Sequence, residues 1–341
     1  MLIMLPALLI MLSARAQDPY YSQYFNAPLH YNPAYVGYFK GFKTQINYRK
    51  QWPQLHDDLK NYGLALDFCE RELPGLGGFG LIVNSSSEGA GLIKSLNASL
   101  VASSRIKLTK YMVTQAGITA GYVSNQVNVT DYIFSDQIDG KHGLIYPEST
   151  FGDLENDKKG YPDIALGGLL SFTRLNISTT AGIALHHVLK PDRSFTGLES
   201  RLPRKLVLHT DMIVKQRRAM KKGFVFNPGI LFERQGHFST YQLGMNVARS
   251  VLYAGMWYRS KETSFIDYDE LVFVMGLKIP IMDENSRLRV MYSYDFGLTG
   301  PKGAGGAHEI GMSFEFDKIK LIKSNKSISD DYPVLDNIIR F

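Results

Sequence analysis

The sequence predicts an all-β protein: an antiparallel transmembrane outer-membrane β-barrel of about fourteen strands with a plug-like N-terminal segment. Three observations carry this. Beyond residue 40, segments of roughly ten residues alternate apolar with polar or small side chains, the period of a strand with different media on its two faces. After the N-terminus, no stretch approaches the roughly 20 apolar residues that a membrane helix needs, so any crossing must be made by strands. Connections between the alternating segments are long at one end and short at the other, the asymmetry of outer-membrane barrels.

Residues 1–16, MLIMLPALLIMLSARA, read as a signal peptide. Leu2 to Leu12 is apolar but too short to span a bilayer, and Ala14 and Ala16 form an A-x-A site with cleavage expected before Gln17. No Lys or Arg precedes the apolar run, so the true start is expected further upstream. Residues 17–40 are rich in Tyr, Asn and Pro and do not alternate. Pro19, Pro28 and Pro33 lack backbone donors and fix φ, so this segment cannot be regular sheet throughout. Its aromatics Tyr20, Tyr21, Tyr24, Phe25, Tyr31 and Tyr35 need burial. The expectation is a plug packed in the periplasmic half of the barrel, entering from that side. A leader that orders only on a partner is the alternative.

The barrel is expected over residues 41–317, with strands near 41–50, 60–69, 76–85, 90–104, 111–124, 161–172, 176–187, 204–216, 223–233, 238–248, 251–260, 269–279, 287–297 and 307–317. In the late strands the charges fall on one face. Leu288, Val290, Tyr292, Tyr294 and Phe296 oppose Arg289, Ser293 and Asp295, and Ile310, Met312, Phe314 and Phe316 oppose Glu309, Ser313 and Glu315. An even strand count returns both termini to the periplasm. The outer loops are then 51–59, 86–89, 125–160, 188–203, 234–237, 261–268 and 298–306, and the periplasmic turns 70–75, 105–110, 173–175, 217–222, 249–250 and 280–286. Residues 318–341 read as a mixed-charge periplasmic tail.

Composition narrows the function. The 20 Tyr, 19 Phe and 31 Gly suit strands, tight turns and an interfacial aromatic girdle. The net charge of +6 comes from scattered basic residues without one long stripe, which argues against nucleic acid and leaves outer-membrane lipid or an acidic partner as contacts. One cysteine, Cys69, excludes an intramolecular disulfide framework and any multi-cysteine zinc site.

Arg259, Arg289, Asp295 and Glu309 are expected to face the lumen on neighbouring strands, as an ion-pair network or as a selectivity patch. Buried charges need partners, which favours the network. Arg217, Arg218, Lys221 and Lys222 surround a periplasmic turn, either solvated or docking an acidic partner. His186 and His187 cannot chelate one metal from a regular strand, because adjacent side chains point to opposite faces. Gly77-Gly78 and Gly305-Gly306 suit curvature and turns better than phosphate binding. No GxSxG elbow is present, so no catalytic site, cofactor or metal is expected.

At QDPYYSQYFNAPLHYNPAYVGYFKG the sequence resembles the PorP/SprF family of Bacteroidetes, whose mature N-terminus typically reads QDPxxSQYxxNPLxxNPAxxG. Gln17, Asp18, Pro19, Ser22, Gln23, Tyr24, Asn32, Pro33, Ala34 and Gly37 match; at the first Asn-Pro, Asn26 is followed by Ala27 and then Pro28. Tyr48, Arg49, Gln51 and Trp52 look like the family's YRxQW, and LHHVLKP from Leu185 resembles its HxxxP stretch. FNPGILFERQG, AGMWYR, MYSYDFGL and GGAHEIGMSFEF look like its later strands in order. The resemblance covers nearly the whole mature chain. It implies an outer-membrane component of the type IX secretion system, often linked to gliding motility and needed for secretion or surface attachment of particular, often adhesin-like, substrates. It also implies partners: the periplasmic ring, the peptidoglycan-associated component and the C-terminal sorting domains of substrates. Tyr20, Tyr24, Asn32, Pro33 and Tyr35 are then docking candidates in the N-terminal segment. A passive porin or small-solute channel is the alternative function.

Overall fold

The computed structural model describes residues 18, 20–39, 41–55, 59–69, 76–89, 91–128, 135–139, 141–144, 158–195, 199–216, 223–262, 268–281, 286–299 and 305–316. The expected signal peptide, the tail 318–341 and the basic turn Arg217, Arg218, Lys221 and Lys222 lie outside the described residues.

Alternation of the kind read from the sequence produces strands throughout. They are β1 (Gly41–Gln51), β2 (Leu59–Cys69), β3 (Leu76–Glu88), β4 (Ile93–Lys107), β5 (Met112–Val127), β6 (Ile138–Asp139), β7 (Gly143–Leu144) and β8 (Lys158–Arg174). They continue as β9 (Ile177–His186), β10 (Lys205–Lys215), β11 (Val225–Gln235), β12 (Phe238–Arg249), β13 (Leu252–Glu262), β14 (Tyr268–Pro280), β15 (Ser286–Gly297) and β16 (Ala307–Phe316). Every strand except β6 and β7 joins one closed antiparallel barrel, in which each pairs with its sequence neighbours and β1 closes on β16. That is the expected fourteen-stranded barrel. The pair β6–β7 is a separate hairpin in the β5–β8 connection, too short to read from alternation. Closure leaves no sheet edge, which a lipid environment requires.

Burial is inverted relative to a water-soluble core. Outward residues are apolar and open: Leu100 is 69%, Met275 62% and Ile230 60% exposed. Inward residues on the same wall are polar or charged and shut away, including Arg49, Asp295 and Glu309 at 0%. No helix among the described residues is long and apolar enough to cross a membrane. Cys69, Lys107, Arg174, Lys215, Arg249 and Pro280 end their strands at one end of the barrel, where the next strand of the wall begins. Val127 and His186 end theirs at the other, before the long connections. We call these the turn end and the loop end; in an outer-membrane barrel they face periplasm and exterior, respectively.

Candidate functional site

The lumen is the candidate site, and the chain's own N-terminal segment occupies it. Local chemistry shapes residues 20–39. Prolines start two short 3-10 turns, Pro28–His30 and Pro33–Tyr35, where a missing N–H costs nothing. Asn32 caps the second through its Oδ1, which accepts the Ala34 amide at 2.9 Å. The Tyr31 hydroxyl staples the segment to itself, donating to the Tyr21 carbonyl at 2.5 Å and accepting the Tyr21 amide at 2.9 Å.

Tertiary contacts then fix the segment along the whole lumen. Tyr24 and Phe25 pack on Trp257, with ring centroids 5.3 and 5.2 Å away. Leu29 and Val36 cluster with Ala65, Ile82 and Val101 on the opposite wall. The Asn32 amide donates to the Gly168 carbonyl at 3.1 Å, and Tyr35 stacks on His209. Near the turn end, the Gly37 amide donates to Asp67 at 2.6 Å and the Tyr38 hydroxyl meets Thr180 at 2.8 Å. Gly37 has φ +71° and abuts the backbone of Gly77 and Gly78, where β3 carries a bulge, so a side chain on Gly37 has no room.

Asp18 marks the other limit. It lies at the loop end, 2.6 Å from His187 Nε2, and the Gln235 amide donates to it at 3.2 Å. The sequence reading places this segment in the periplasmic half, starting from that side; the structure corrects this, because the segment runs from loop end to turn end. The reason is where its partners sit. The Tyr20 ring lies under three cations near the loop end: Lys261 Nζ at 4.0 Å, Arg49 Cζ at 4.5 Å and Arg259 Cζ at 5.0 Å from its centroid.

Those cations belong to the principal charge network. Arg49 Nη1 is 2.7 Å from Asp295 and 3.7 Å from Glu309. Arg259 Nη1 is 2.7 Å from Glu270 and 3.0 Å from Asp295, and Lys261 is 3.5 Å from Glu270. Three cations thus balance three carboxylates, and the segment supplies the missing donors. The Ser22 amide donates to Glu309 at 2.5 Å, its hydroxyl to Asp295 at 2.6 Å, and the Gln23 amide to Glu309 at 3.3 Å. In low dielectric such groups are tolerable only when paired and hydrogen-bonded.

Of the residues singled out from sequence, Arg259, Asp295 and Glu309 therefore meet. Arg289 does not join them. It sits six positions from Asp295 on β15, roughly 20 Å along the strand, and pairs instead with Glu315 at 3.3 Å. Tyr20, Tyr24, Asn32 and Tyr35 contact the wall as described, and Pro33 packs against Gly167. Arg49, Lys261 and Glu270 escaped the sequence reading. Arg49 was visible in the YRxQW stretch and on the polar face of β1, but nothing local pairs it with a residue on β15.

His186 and His187 depart from simple alternation. His187 follows the strand at φ +55°, so its ring turns inward beside His186, centroids 6.3 Å apart. Both rings are committed. His186 Nε2 donates to the Tyr31 carbonyl at 2.9 Å, while His187 bridges Asp18 and Asp163 at 2.6 and 2.9 Å. Burial works against a charged His187, but the two carboxylates outweigh it and lift its pKa to about 10. Burial likewise opposes the Asp18 carboxylate, and the His187 charge holds it well below the usual range.

A lumen crowded with its own chain, inside a closed wall that is apolar outside, is that of an outer-membrane β-barrel. The whole length supports a narrower assignment. The chain belongs to the PorP/SprF family of type IX secretion system membrane proteins, whose family model matches residues 13–314. No curated protein matches the sequence. Similar solved structures include a monoaromatic hydrocarbon channel mutant, TodX deltaS2S3, at 10% identity and TM-score 0.48, covering 86% of this chain and 94% of that one. A Pseudomonas aeruginosa FadL homologue aligns at 11% identity and TM-score 0.42, covering 84% and 92%. The β domain of the Bordetella autotransporter BrkA aligns at 13% and 0.39, covering 81% and 98%.

Proposed function

We propose that this chain is a non-enzymatic accessory subunit of type IX secretion, supporting secretion or surface attachment of specific, often adhesin-like substrates, in some settings linked to gliding. The observation that carries this reading over a diffusion pore is the occupied lumen. Ser22, Gln23, Ala27, Asn32 and Ala34 are all 0% exposed inside the barrel. An open pore needs a free path, whereas a subunit that engages protein partners needs a rigid wall and presented loops. Substrate contact falls to the long outer connections 125–160 and 188–203. Ring and peptidoglycan-associated partners fall to the periplasmic side, where the basic turn Arg217, Arg218, Lys221 and Lys222 and the tail 318–341 belong in this reading. C-terminal sorting domains are the part of the substrate that would be engaged.

Two measurements test it. Surface proteomics of a deletion strain should show loss of one or a few large surface proteins; general loss of small-solute uptake favours the porin instead. In planar bilayers the intact protein should be silent, and a variant lacking residues 20–36 should conduct. Conductance of the intact protein at porin level overturns the proposal. Unchanged heat stability after that deletion would show that the segment does not hold the barrel together.

A further inference from the structure

The N-terminal segment leaves one side of the loop end unfilled. Tyr20, Ser22 and Gln23 lean on the network of Arg49, Asp295 and Glu309. Across the lumen, β3 and β4 carry short polar side chains at the same level: Asn84, Ser86, Ser95 and Asn97. A vestibule of about 140 Å³ remains there, lined by these four together with His30 and Tyr161 among others. It continues into a cavity of about 50 Å³ that shares His30, Asn84 and Asn97 and reaches Leu29 and Ile82. Leu29 and Ile82 belong to the apolar contact between segment and wall, which floors the vestibule. Leu202, on the connection after β9, packs with Val123 and Tyr161 at its rim. The vestibule is thus a blind pocket facing the loop end, the exterior in an outer-membrane barrel.

What this pocket offers a ligand is polar but uncharged. The ionic groups around it already have partners: His187 lies 2.6 Å from Asp18 and 2.9 Å from Asp163, and Lys205 lies 2.6 Å from Glu233. Asn84 and Asn97 accept from Tyr21 and Ser99 at 3.2 and 2.7 Å through Oδ1, which leaves their amide nitrogens to donate. Both ring nitrogens of His30 are buried without a hydrogen-bond partner among the described residues. A neutral imidazole holds one donor and one acceptor, and burying both unanswered is destabilising. Val123 and Tyr161 give the pocket an apolar side. Water answers the polar atoms but not that side, and an apolar solute does the reverse. A sugar meets both, through hydroxyls that donate and accept and through a C–H face.

We propose that the loop-end vestibule binds one sugar residue, or a polyol of that size, with hydroxyls on His30, Asn84 and Asn97 and the C–H face against Val123 and Tyr161. A cavity of roughly this volume holds a six-membered ring. Substituents on that ring extend toward the smaller cavity or the mouth. Two sources share this chemistry: a free monosaccharide and the terminal residue of a glycan. The site rests on the vestibule and its polar lining and does not depend on the secretion reading.

The test uses the full-length purified protein in a detergent without a sugar headgroup. Saturation-transfer NMR, which detects weak ligands, is run with D-glucose, D-galactose, N-acetyl-D-glucosamine and their methyl glycosides, with cyclohexanol as the ring-sized apolar control. At least one sugar or glycoside should bind saturably, and cyclohexanol should not compete with it. Binding of a methyl glycoside identifies a glycan terminus as the source, and binding of the free sugar alone identifies a monosaccharide. H30F replaces the unpartnered imidazole with a hydrocarbon ring and should weaken the sugar about tenfold or more without lowering the thermal midpoint. S95F, on a wall strand away from the segment, fills the vestibule and should abolish binding in a barrel that keeps its heat-induced mobility shift. Absence of saturable binding by every sugar and glycoside, competition by cyclohexanol, or full binding to H30F or S95F overturns the site.

Discussion

Arg49 and Asp295 meet at 2.7 Å with neither side chain exposed, although 246 residues separate them in sequence. Closure of β1 on β16, with β15 next in line, brings them together. Their contact joins the first strand, the last strands and, through Ser22, the N-terminal segment. The network therefore couples barrel closure to occupancy of the lumen.

Removing one member should be costly. Arg49→Met leaves Asp295 and Glu309 short of positive charge in a buried site, a loss of about 3–5 kcal/mol. Arg49→Lys keeps the charge but not the fork and should fall between. The heat-induced mobility shift of the folded barrel measures this. A variant as heat-stable as the parent would show that the network does not couple the strands.

The segment should be dislodged from the wall side as well. A Cβ added to Gly117 would stand 2.5 Å from the Ala34 nitrogen and the Pro33 carbonyl carbon. Gly117→Val therefore forces the segment away, at about 1–3 kcal/mol. Limited proteolysis should then cut within residues 20–39. Ala116→Val, one residue away on the lipid face, is the control and should leave protection intact.

The loop-end latch has a defined pH window. The folded pKa of His187 is raised from 6.5 to about 10, so its stabilisation is complete below pH 6.5 and lost as pH rises toward 10. The folded pKa of Asp18 is lowered from 3.8, so its part is present above that value and lost as pH falls below it. The latch should be firmest between about pH 4 and 6.5. Thermal midpoints across pH 4–10 should decline on the alkaline side for the parent and flatten there for His187→Gln. Parallel profiles would place the alkaline loss elsewhere.

Topology gives a prediction for intact cells. Because Asp18 sits at the loop end, an epitope inserted just ahead of it should react with antibody at the cell surface without permeabilisation. Labelling only after the outer membrane is opened would mean that the segment enters from the periplasmic side and stops short.

Much of the barrel was legible because alternation is local. Whether a residue of β15 faces lipid depends on a two-residue period, and its burial keeps that period from Val290 to Phe296. Strand ends were less legible: β8 runs from Lys158, three residues before the expected start, because polar residues continue the ladder into the loop. His187 escaped because a single positive φ reverses the facing that alternation implies.

The sequence by itself determined the strands, their inward faces and the even count that brings both barrel ends to one side. It also carried the family in the order of its N-terminal and late-strand motifs. Only the tertiary structure decided which inward charges meet. It set Arg49 on Asp295, left Arg289 to Glu315, and ran residues 18–39 from the loop end to the turn end. The physical reason is range. Facing is set by neighbours one and two residues away, whereas pairing across a closed barrel depends on register summed around fourteen strands, which no local pattern records.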